Sequence, residues 1–238
     1  MSASCALFGR LIDHAPTFPP AQLPVAEAIE EDRRARRSKH GWILARLAWP
    51  ASKLADLGDE DRELTLIVDG AAMSGARHRT WLDQRVRAVE GRGDPAELAG
   101  AAGEVYVEGG DLDELAQLGL RAKIRCGGEH VPSIDELAGF VQGCRERSLP
   151  FKATAGLHHA VRQGGSHGFL NLLAAAVFDE GALAEEEADA FSVSDTAFTW
   201  RNQVVGPIEI ERGRKLFVGF GSCSFFEPVE ELKALGYL

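Results

Sequence analysis

One lysine and two adjacent histidines lie close together in the chain. Lys152 stands in an apolar run, and His158 and His159 follow it within a few residues. A lysine that is desolvated or surrounded by other cations loses its proton more readily, and its neutral amine can attack a carbonyl carbon. Lys123 and Arg125, on the preceding β-rich run, are the expected cationic neighbours. The pattern predicts a Schiff-base lysine at Lys152, with Lys123 favouring the neutral amine.

Two carboxylates and the two histidines are the candidate proton-transfer groups. Glu90 and Glu108 each end a β-rich run just before a glycine. His158 or His159 could act as acid or base, because an imidazole titrates near neutral pH. One histidine and one carboxylate could instead bind a metal while Lys152 stabilises an enolate. No metal ligands are assigned, and no cofactor is expected, because the chain contains neither a phosphate loop nor a GxGxxG motif after a strand.

Other polar residues near strand ends are the candidate substrate-binding groups, with the arginines suited to an anionic part of the substrate. They are Arg46, Asp69, Arg125, Thr154, Ser222 and Ser224. Ser224 and Glu227 also have the spacing of a capping box, and capping of a helix is the favoured interpretation of Ser224.

These residues belong to short β-rich runs that alternate with helical segments. Seven runs are predicted strands, and an eighth is placed in FSVSDTAFTW; the seven are WILARLAWP, LTLIVDG, RVRAVEG, EVYVEGG, RAKIRCGG, LPFKATAG and KLFVGFG. Alternation of strands and helices predicts an α/β fold, a (β/α)8 TIM-type barrel, in one domain over 1–238. Residues 1–40 are expected to form a helical cap. The ambiguous segment 168–214 leaves open a barrel that is distorted or incomplete at its seventh strand, and an open doubly wound sheet is the alternative architecture.

The period of two along each strand separates the side chains that face the barrel axis from those that face the helices. The charged residues on the inward side are Arg46, Asp69, Glu90, Glu108, Lys123, Arg125 and Lys152. In barrels of this type the catalytic groups lie at the C-terminal ends of the strands. A buried ion-pair network is the alternative, but burying so many charges costs on the order of several kcal/mol per ion. A functional site is therefore favoured.

Composition limits the partners and the compartment. The chain has 238 residues and a net charge of −10, and its one basic cluster follows acidic residues on a predicted helix, which argues against nucleic-acid binding. Four dispersed cysteines without a CxxC pair favour reduced thiols. No leader or membrane-spanning segment is predicted. We expect a cytoplasmic protein with a small-molecule substrate, and a homo-oligomer stays open.

Two resemblances bear on activity. The segment from Lys152 to Gly156 resembles the Lys-Thr-Ser-Thr-Gly segment on the sixth strand of deoxyribose-phosphate aldolase, a class I aldolase built on this barrel. The second lysine of that aldolase has no match, because the next lysine after Lys152 is Lys215, and Lys123 would replace it only by analogy. LIDHAPTFPPA, KATAGLHH and FGSCSFFEP are similar to a bacterial family of barrel proteins with uncharacterised activity, in which proline more often stands at the position of Ala160.

The aldolase resemblance implies an aldolase-like lyase that acts on a small carbonyl compound, such as a sugar phosphate or a keto acid. Two other functions stay open from the residues alone. One is a metal-dependent lyase or isomerase with a carboxylate and histidine site, and the other is a barrel that binds a small ligand without catalysis.

Overall fold

The computed structural model describes residues 1–68, 83–101 and 103–238. Eight parallel strands close into a barrel, and they are β1 (Ile12–His14), β2 (Leu44–Pro50), β3 (Leu64–Val68), β4 (Val86–Arg92), β5 (Glu104–Glu108), β6 (Arg121–Arg125), β7 (Phe151–Thr154) and β11 (Phe217–Ser222). Their order around the barrel is β1-β11-β7-β6-β5-β4-β3-β2. The predicted TIM-type barrel is confirmed, and it is closed rather than incomplete.

The N-terminal segment contains the first barrel strand, so the expectation that residues 1–40 form only a helical cap is wrong. Ile12 pairs with Phe220 of β11 on one side and with Leu44 of β2 on the other. All three residues of β1 are buried. A strand of three residues that is buried throughout shows no alternation of polar and apolar positions, which is why the period of two did not reveal it.

The eighth strand expected in FSVSDTAFTW does not belong to the barrel. That segment forms β8 (Phe191–Val193) and β9 (Phe198–Trp200), which pair antiparallel with each other, and β9 also pairs antiparallel with β10 (Gln203–Val205) in a separate sheet. A polar turn joins the first two strands, and the hydroxyl oxygen of Ser194 accepts a hydrogen bond from the backbone N–H of Ala197 at 3.0 Å. The tight turn makes a hairpin and cannot supply a crossover between parallel strands.

Helices follow most of the barrel strands. The α-helices are α1 (Ala3–Phe8), α2 (Val25–Arg37), α3 (Pro95–Leu98), α4 (Leu112–Gln117), α5 (Ile134–Glu146), α6 (Phe169–Val177), α7 (Pro207–Leu216) and α8 (Phe226–Ala234), and short 3-10 helices span Gly41–Ile43, Ala51–Leu57, Glu180–Ala184 and Ala188–Ala190. Side-chain caps fix several starts, and Ser133 with Glu136 forms a full capping box at α5. No helix within the described ranges has the length and apolar character needed to cross a membrane.

Aromatic side chains fill the layer between barrel and helices. Phe151 of β7 packs edge-on against Phe140 of α5, with ring centroids 5.2 Å apart. Phe220 of β11 stacks on Phe169 of α6 at 4.9 Å. Full burial of each such ring contributes about 1.5–3 kcal/mol to stability. Because the outward positions of these strands are apolar, the polar residues between them face the barrel axis.

Candidate active site

Five charged side chains cross the barrel interior in a row of alternating sign, which we call the charge ladder: Asp13, Lys152, Glu90, Lys123 and Glu108. Lys152 Nζ donates to Asp13 Oδ2 at 2.5 Å and also to Glu90 Oε1. The other oxygen of Glu90 lies 3.1 Å from Lys123 Nζ, and Glu108 Oε2 lies 3.5 Å beyond that nitrogen. Each interior charge therefore has neighbours of opposite sign.

Burial and neighbouring charges together determine the ionisation states of Lys152 and Glu90. Lys152 and Glu90 are each 2% exposed. Desolvation favours the neutral carboxyl of Glu90, but the ammonium groups of Lys152 and Lys123 outweigh it and lower its pKa to about 2. Desolvation likewise opposes the charge on Lys152, but Asp13 and Glu90 raise its pKa above the usual value. At neutral pH Glu90 is a carboxylate and Lys152 is an ammonium.

The expected environment of Lys152 is therefore wrong. Lys123 and Lys152 are Cα partners on neighbouring strands, as the pattern of β6 and β7 predicts. Glu90, from β4, binds both ammonium groups. Carboxylates rather than cations contact Lys152, so the neutral amine is not favoured there. Period-two sorting identified the shared face but could not show which carboxylate lies between the two lysines.

Asp13 is a site residue that the sequence analysis missed. Besides Lys152, it accepts hydrogen bonds from the Thr65 hydroxyl at 2.7 Å and from the backbone N–H of Arg46 at 3.1 Å. Tyr106 lies beside the same ladder, with its ring centroid 5.1 Å from Lys152 Nζ. A charged residue directly after the apolar pair Leu11 and Ile12 was the available signal, but it fell within the segment interpreted as a cap.

A cavity of about 530 Å³ opens at the C-terminal ends of the strands, and we call it the C-terminal cavity. Phe18, Pro19 and Pro20, from the segment after β1, supply apolar lining. Its polar lining side chains are Glu90, Lys123, Arg125, Thr154, His158 and Ser222. Glu90 and Lys123 of the charge ladder thus form part of the cavity lining. Its size and mixed lining are typical of a small-molecule site.

Close backbone packing shapes the cavity beside β7. Gly156 has a φ of +68°, and a Cβ there would come within 2.4 Å of the Cys126 carbonyl oxygen, so only glycine fits. Ala155 before it also has a positive φ, of 59°. Thr154, the last residue of β7, lines the C-terminal cavity, and its hydroxyl is buried and has no hydrogen-bond partner. That hydroxyl is available to a ligand, since an unpaired buried polar group is otherwise unfavourable.

The two predicted histidines separate. His158 is exposed and lines the C-terminal cavity. His159 is not among the residues that line it, and its Nδ1 lies 3.5 Å from Glu231 Oε1 on α8. Glu231 also accepts the backbone N–H of Ala160 at 2.6 Å. Glu231 therefore contacts the loop after β7 from α8. The side chains of the adjacent residues His158 and His159 point in different directions, so only His158 lines the C-terminal cavity.

The two predicted serines also differ in position. Ser222 lines the C-terminal cavity, and its hydroxyl donates to the Ser224 carbonyl at 2.6 Å. Ser224 does not line the cavity, and its hydroxyl oxygen accepts the backbone N–H of Glu227 at 3.3 Å. Ser224 thus caps the start of α8, which agrees with the favoured interpretation of its spacing.

The arginine and carboxylate candidates lie at different positions along the barrel axis. Arg125 lines the C-terminal cavity, and its side chain is 46% exposed. Glu108 lies next to Arg125 and Arg92 at the outer end of the ladder. Arg46 is misplaced in the prediction, because it lies near the start of β2 and pairs with Glu104 at the N-terminal end of the barrel, 2.8 Å away. The period of two sorts faces but does not give height along the axis. Asp69 lies outside the described residues.

Among the described residues, few groups are suited to metal binding or to nucleophilic attack by a thiol. Within ranges 1–68, 83–101 and 103–238, no three His, Cys, Asp or Glu side chains are grouped to hold a metal ion. Cys223 lines the C-terminal cavity, and burial raises the pKa of its thiol. A raised pKa disfavours the reactive thiolate. Lys123, the ladder lysine that lines the C-terminal cavity, is therefore a stronger nucleophile candidate than Cys223.

Comparison with known proteins returned no matching protein-family model, no matching curated protein and no matching solved structure. The barrel assignment rests on the strand order itself, and the likeness to deoxyribose-phosphate aldolase and to the bacterial barrel family rests on the short motifs alone.

Proposed function

We propose that the chain is an aldolase-like lyase that acts on a small carbonyl compound through an imine on Lys123. The observation that carries the proposal is the position of Lys123, which belongs to the charge ladder and also lines the C-terminal cavity. TIM-type barrels carry their catalytic groups at this end. A lysine that lies between two carboxylates and lines a small-molecule cavity is suited to covalent catalysis.

Lys152 has a different part in this proposal from the one its sequence context suggested. Its ammonium group contacts both Asp13 and Glu90, and the residue borders a cavity at the opposite, N-terminal end of the barrel rather than the C-terminal cavity. Lys152 is therefore a positioning residue. It keeps Glu90 ionised, and Glu90 in turn orients Lys123 from 3.1 Å.

Imine formation begins with loss of one proton from the Lys123 ammonium. Glu108, whose Oε2 lies 3.5 Å from Lys123 Nζ, accepts that proton in this proposal, because Glu90, with a pKa of about 2, is a weak base. The amine nitrogen then bonds to the carbonyl carbon, and the carbonyl oxygen takes up protons and leaves as water when the C=N bond forms. One ammonium and one carbonyl give one protonated imine and one water.

The ladder suits that product electrostatically. A protonated imine carries the same single positive charge as the ammonium, so Glu90 and Glu108 can stabilise it without a change in the charge balance of the barrel. The bond between the α- and β-carbons then breaks: its electron pair forms the enamine C=C bond, the C=N electron pair moves to the imine nitrogen, and the β-hydroxyl loses its proton to become the carbonyl of the released aldehyde. Protonation of the enamine at the α-carbon regenerates the imine, and water hydrolyses the imine to release the second product and Lys123. His158, exposed at the cavity, can exchange the required proton with solvent.

The cavity favours a small substrate that carries an anionic group. Arg125 provides a guanidinium in the lining, and Thr154 and Ser222 provide hydroxyls. A sugar phosphate or a keto acid combines an anionic end with a carbonyl of the required size. The apolar lining from Phe18 to Pro20 would exclude water from the reacting carbon.

Borohydride trapping tests the proposal. Purified protein is incubated with a small aldehyde, a 2-keto acid or an aldose phosphate, with and without reductant, and its intact mass is measured. We expect one stoichiometric adduct in the wild type, none in Lys123→Arg, and retained labelling in Lys152→Arg, which preserves a cation against Asp13 and Glu90.

Lys233→Arg is the matched surface control, because Lys233 lies on α8, outside the barrel interior, and pairs with Glu230 on the same helix. Loss of the adduct in Lys152→Arg but not in Lys123→Arg would move the nucleophile to Lys152. Labelling that is equal in all variants would contradict imine chemistry in the barrel and favour a site that binds a ligand without catalysis.

A further inference from the structure

A second cavity, of about 210 Å³, lies at the N-terminal end of the barrel, and we call it the N-terminal cavity. Its lining includes four arginines, drawn from the segment before β1, from β2, from the start of β6 and from α7. They are Arg10, Arg46, Arg121 and Arg214. Lys152 and Asp13 also border this cavity, so it reaches the inner end of the charge ladder.

One carboxylate serves two of these arginines. Glu104 Oε2 accepts from Arg46 at 2.8 Å, and Glu104 Oε1 lies 2.8 Å from Arg121. Glu104 also accepts the hydroxyl of Tyr106 at 3.0 Å, and Arg121 donates to that hydroxyl oxygen at 3.1 Å. Glu104 thus offsets one of the two positive charges, and Asp13, which also borders the cavity, interacts electrostatically with Arg46. The Nε of Arg46 is buried and has no hydrogen-bond partner.

Arg214 adds a cation for which the described residues provide no carboxylate within ion-pair distance. Its guanidinium donates to the backbone carbonyls of Phe217 at 3.0 Å and Gly9 at 3.2 Å. Desolvation lowers its pKa to about 10, so it remains charged at neutral pH. Arg10 pairs with Glu63 at 2.5 Å, and its side chain is largely exposed. The cavity therefore has an excess of positive charge and unused N–H donors.

We propose that the N-terminal cavity binds a small oxyanion of the phosphate class, held by Arg46, Arg121 and Arg214. Guanidinium groups match phosphate oxygens in charge and in planar, two-pronged geometry. A volume of about 210 Å³ admits a phosphate group or a small phosphate monoester rather than a nucleotide. The proposal does not rest on the imine chemistry, because the three arginines lie at the other end of the barrel from Lys123.

Titration calorimetry with inorganic phosphate, against sodium chloride at matched ionic strength, tests the site. We expect phosphate to bind the wild type, to bind Arg121→Gln at least tenfold more weakly, and to bind Glu104→Gln severalfold more tightly, because that change removes the competing carboxylate. Arg147→Gln is the matched control, since Arg147 pairs with Asp113 on the surface, and it should bind as the wild type does. Glycerol phosphate, run in parallel, separates a site for free phosphate from one that also accepts a monoester.

Arg125→Gln assigns the binding to one end of the barrel, because Arg125 lines the C-terminal cavity. The phosphate isotherm that Arg121→Gln loses should persist in that variant, and any phosphate bound beside Arg125 gives a separate isotherm that the variant loses. Thermal unfolding of every variant verifies that each one is folded. Four results would overturn the proposal: a wild-type response equal to that of chloride, unchanged binding in Arg121→Gln, no gain in Glu104→Gln, or loss of the Arg121-dependent isotherm in Arg125→Gln.

Discussion

Cations and carboxylates alternate in the charge ladder that leads to the C-terminal cavity, whereas arginines outnumber carboxylates around the N-terminal cavity. Glu90 contacts two lysines and Lys123 contacts two carboxylates. Glu104, in contrast, is shared by two arginines, and Arg214 donates to two backbone carbonyls, with no carboxylate among the described residues in ion-pair distance. Loss of one partner from a buried charge pair destabilises the folded chain, whereas surplus cations make the chain more stable when an anion binds to them. The two ends of one barrel should therefore respond differently to substitution.

Glu90→Gln should have the largest effect on stability. The change leaves Lys152 and Lys123 in the barrel interior with one carboxylate fewer, and loss of one partner from a buried ion pair costs about 3–5 kcal/mol. Glu104→Gln at the other end should cost about 1 kcal/mol or less, because Glu104 and its arginines are partly exposed. Urea unfolding of both variants measures the difference.

A double variant measures the coupling between Lys152 and Glu90. Lys152→Met combined with Glu90→Gln removes one cation together with the carboxylate, so the double variant should be more stable than the sum of the two single losses implies. Equal losses in Glu90→Gln and Glu104→Gln would mean that the two ends do not differ in the way described.

Acid should weaken the ladder through Glu90. The pKa of Glu90 is about 2 in the folded chain and lies near 4.5 when the chain unfolds, so the stabilisation is complete above about pH 4.5 and is lost as the pH falls toward 2. The difference of roughly 2.5 units corresponds to about 3 kcal/mol. Unfolding free energies of the wild type and Glu90→Gln should therefore converge between pH 4.5 and pH 2. A constant gap across this range would contradict the lowered pKa.

Two threonines give a smaller, matched test of paired and unpaired groups. Thr65 donates to Asp13 at 2.7 Å, whereas the Thr154 hydroxyl is buried without a partner. Thr65→Val should cost about 1–2 kcal/mol, because Asp13 loses a donor. Thr154→Val should leave stability unchanged or raise it by up to about 1 kcal/mol, while slowing imine trapping. Thermal unfolding and adduct yield measure both, and a larger stability loss for Thr154→Val would contradict its role as a ligand donor.

Much of the barrel could be predicted from the sequence because its longer strands alternate clearly. The inward positions of Glu90, Lys123 and Lys152 follow from the period of two within β4, β6 and β7. The short strand β1 has no such alternation, so Asp13 was missed. The segment that forms β8 and β9 has the composition of strands, but its partner and direction depend on a turn whose geometry composition does not specify.

The sequence could not predict the position of a side chain along the barrel axis or the contacts between side chains of distant strands. Arg46 and Arg125 both fall on inward positions, yet one lies near the start of its strand and the other at the end, which places them at opposite ends of the barrel. The partners of Lys152 come from β1 and β4, and both strands are distant from β7 in the chain. Only the closed barrel brings these carboxylates to Lys152, and so the local sequence suggested a neutral amine where the fold stabilises an ammonium.

A crystal structure of the borohydride-reduced adduct identifies the reacting atom and the cavity together. We expect continuous density from Lys123 Nζ to the trapped carbon, with the rest of the ligand in the C-terminal cavity beside Thr154 and Ser222 and its anionic group near Arg125. Density that begins at Lys152, or a ligand that lies outside the C-terminal cavity, would contradict that expectation.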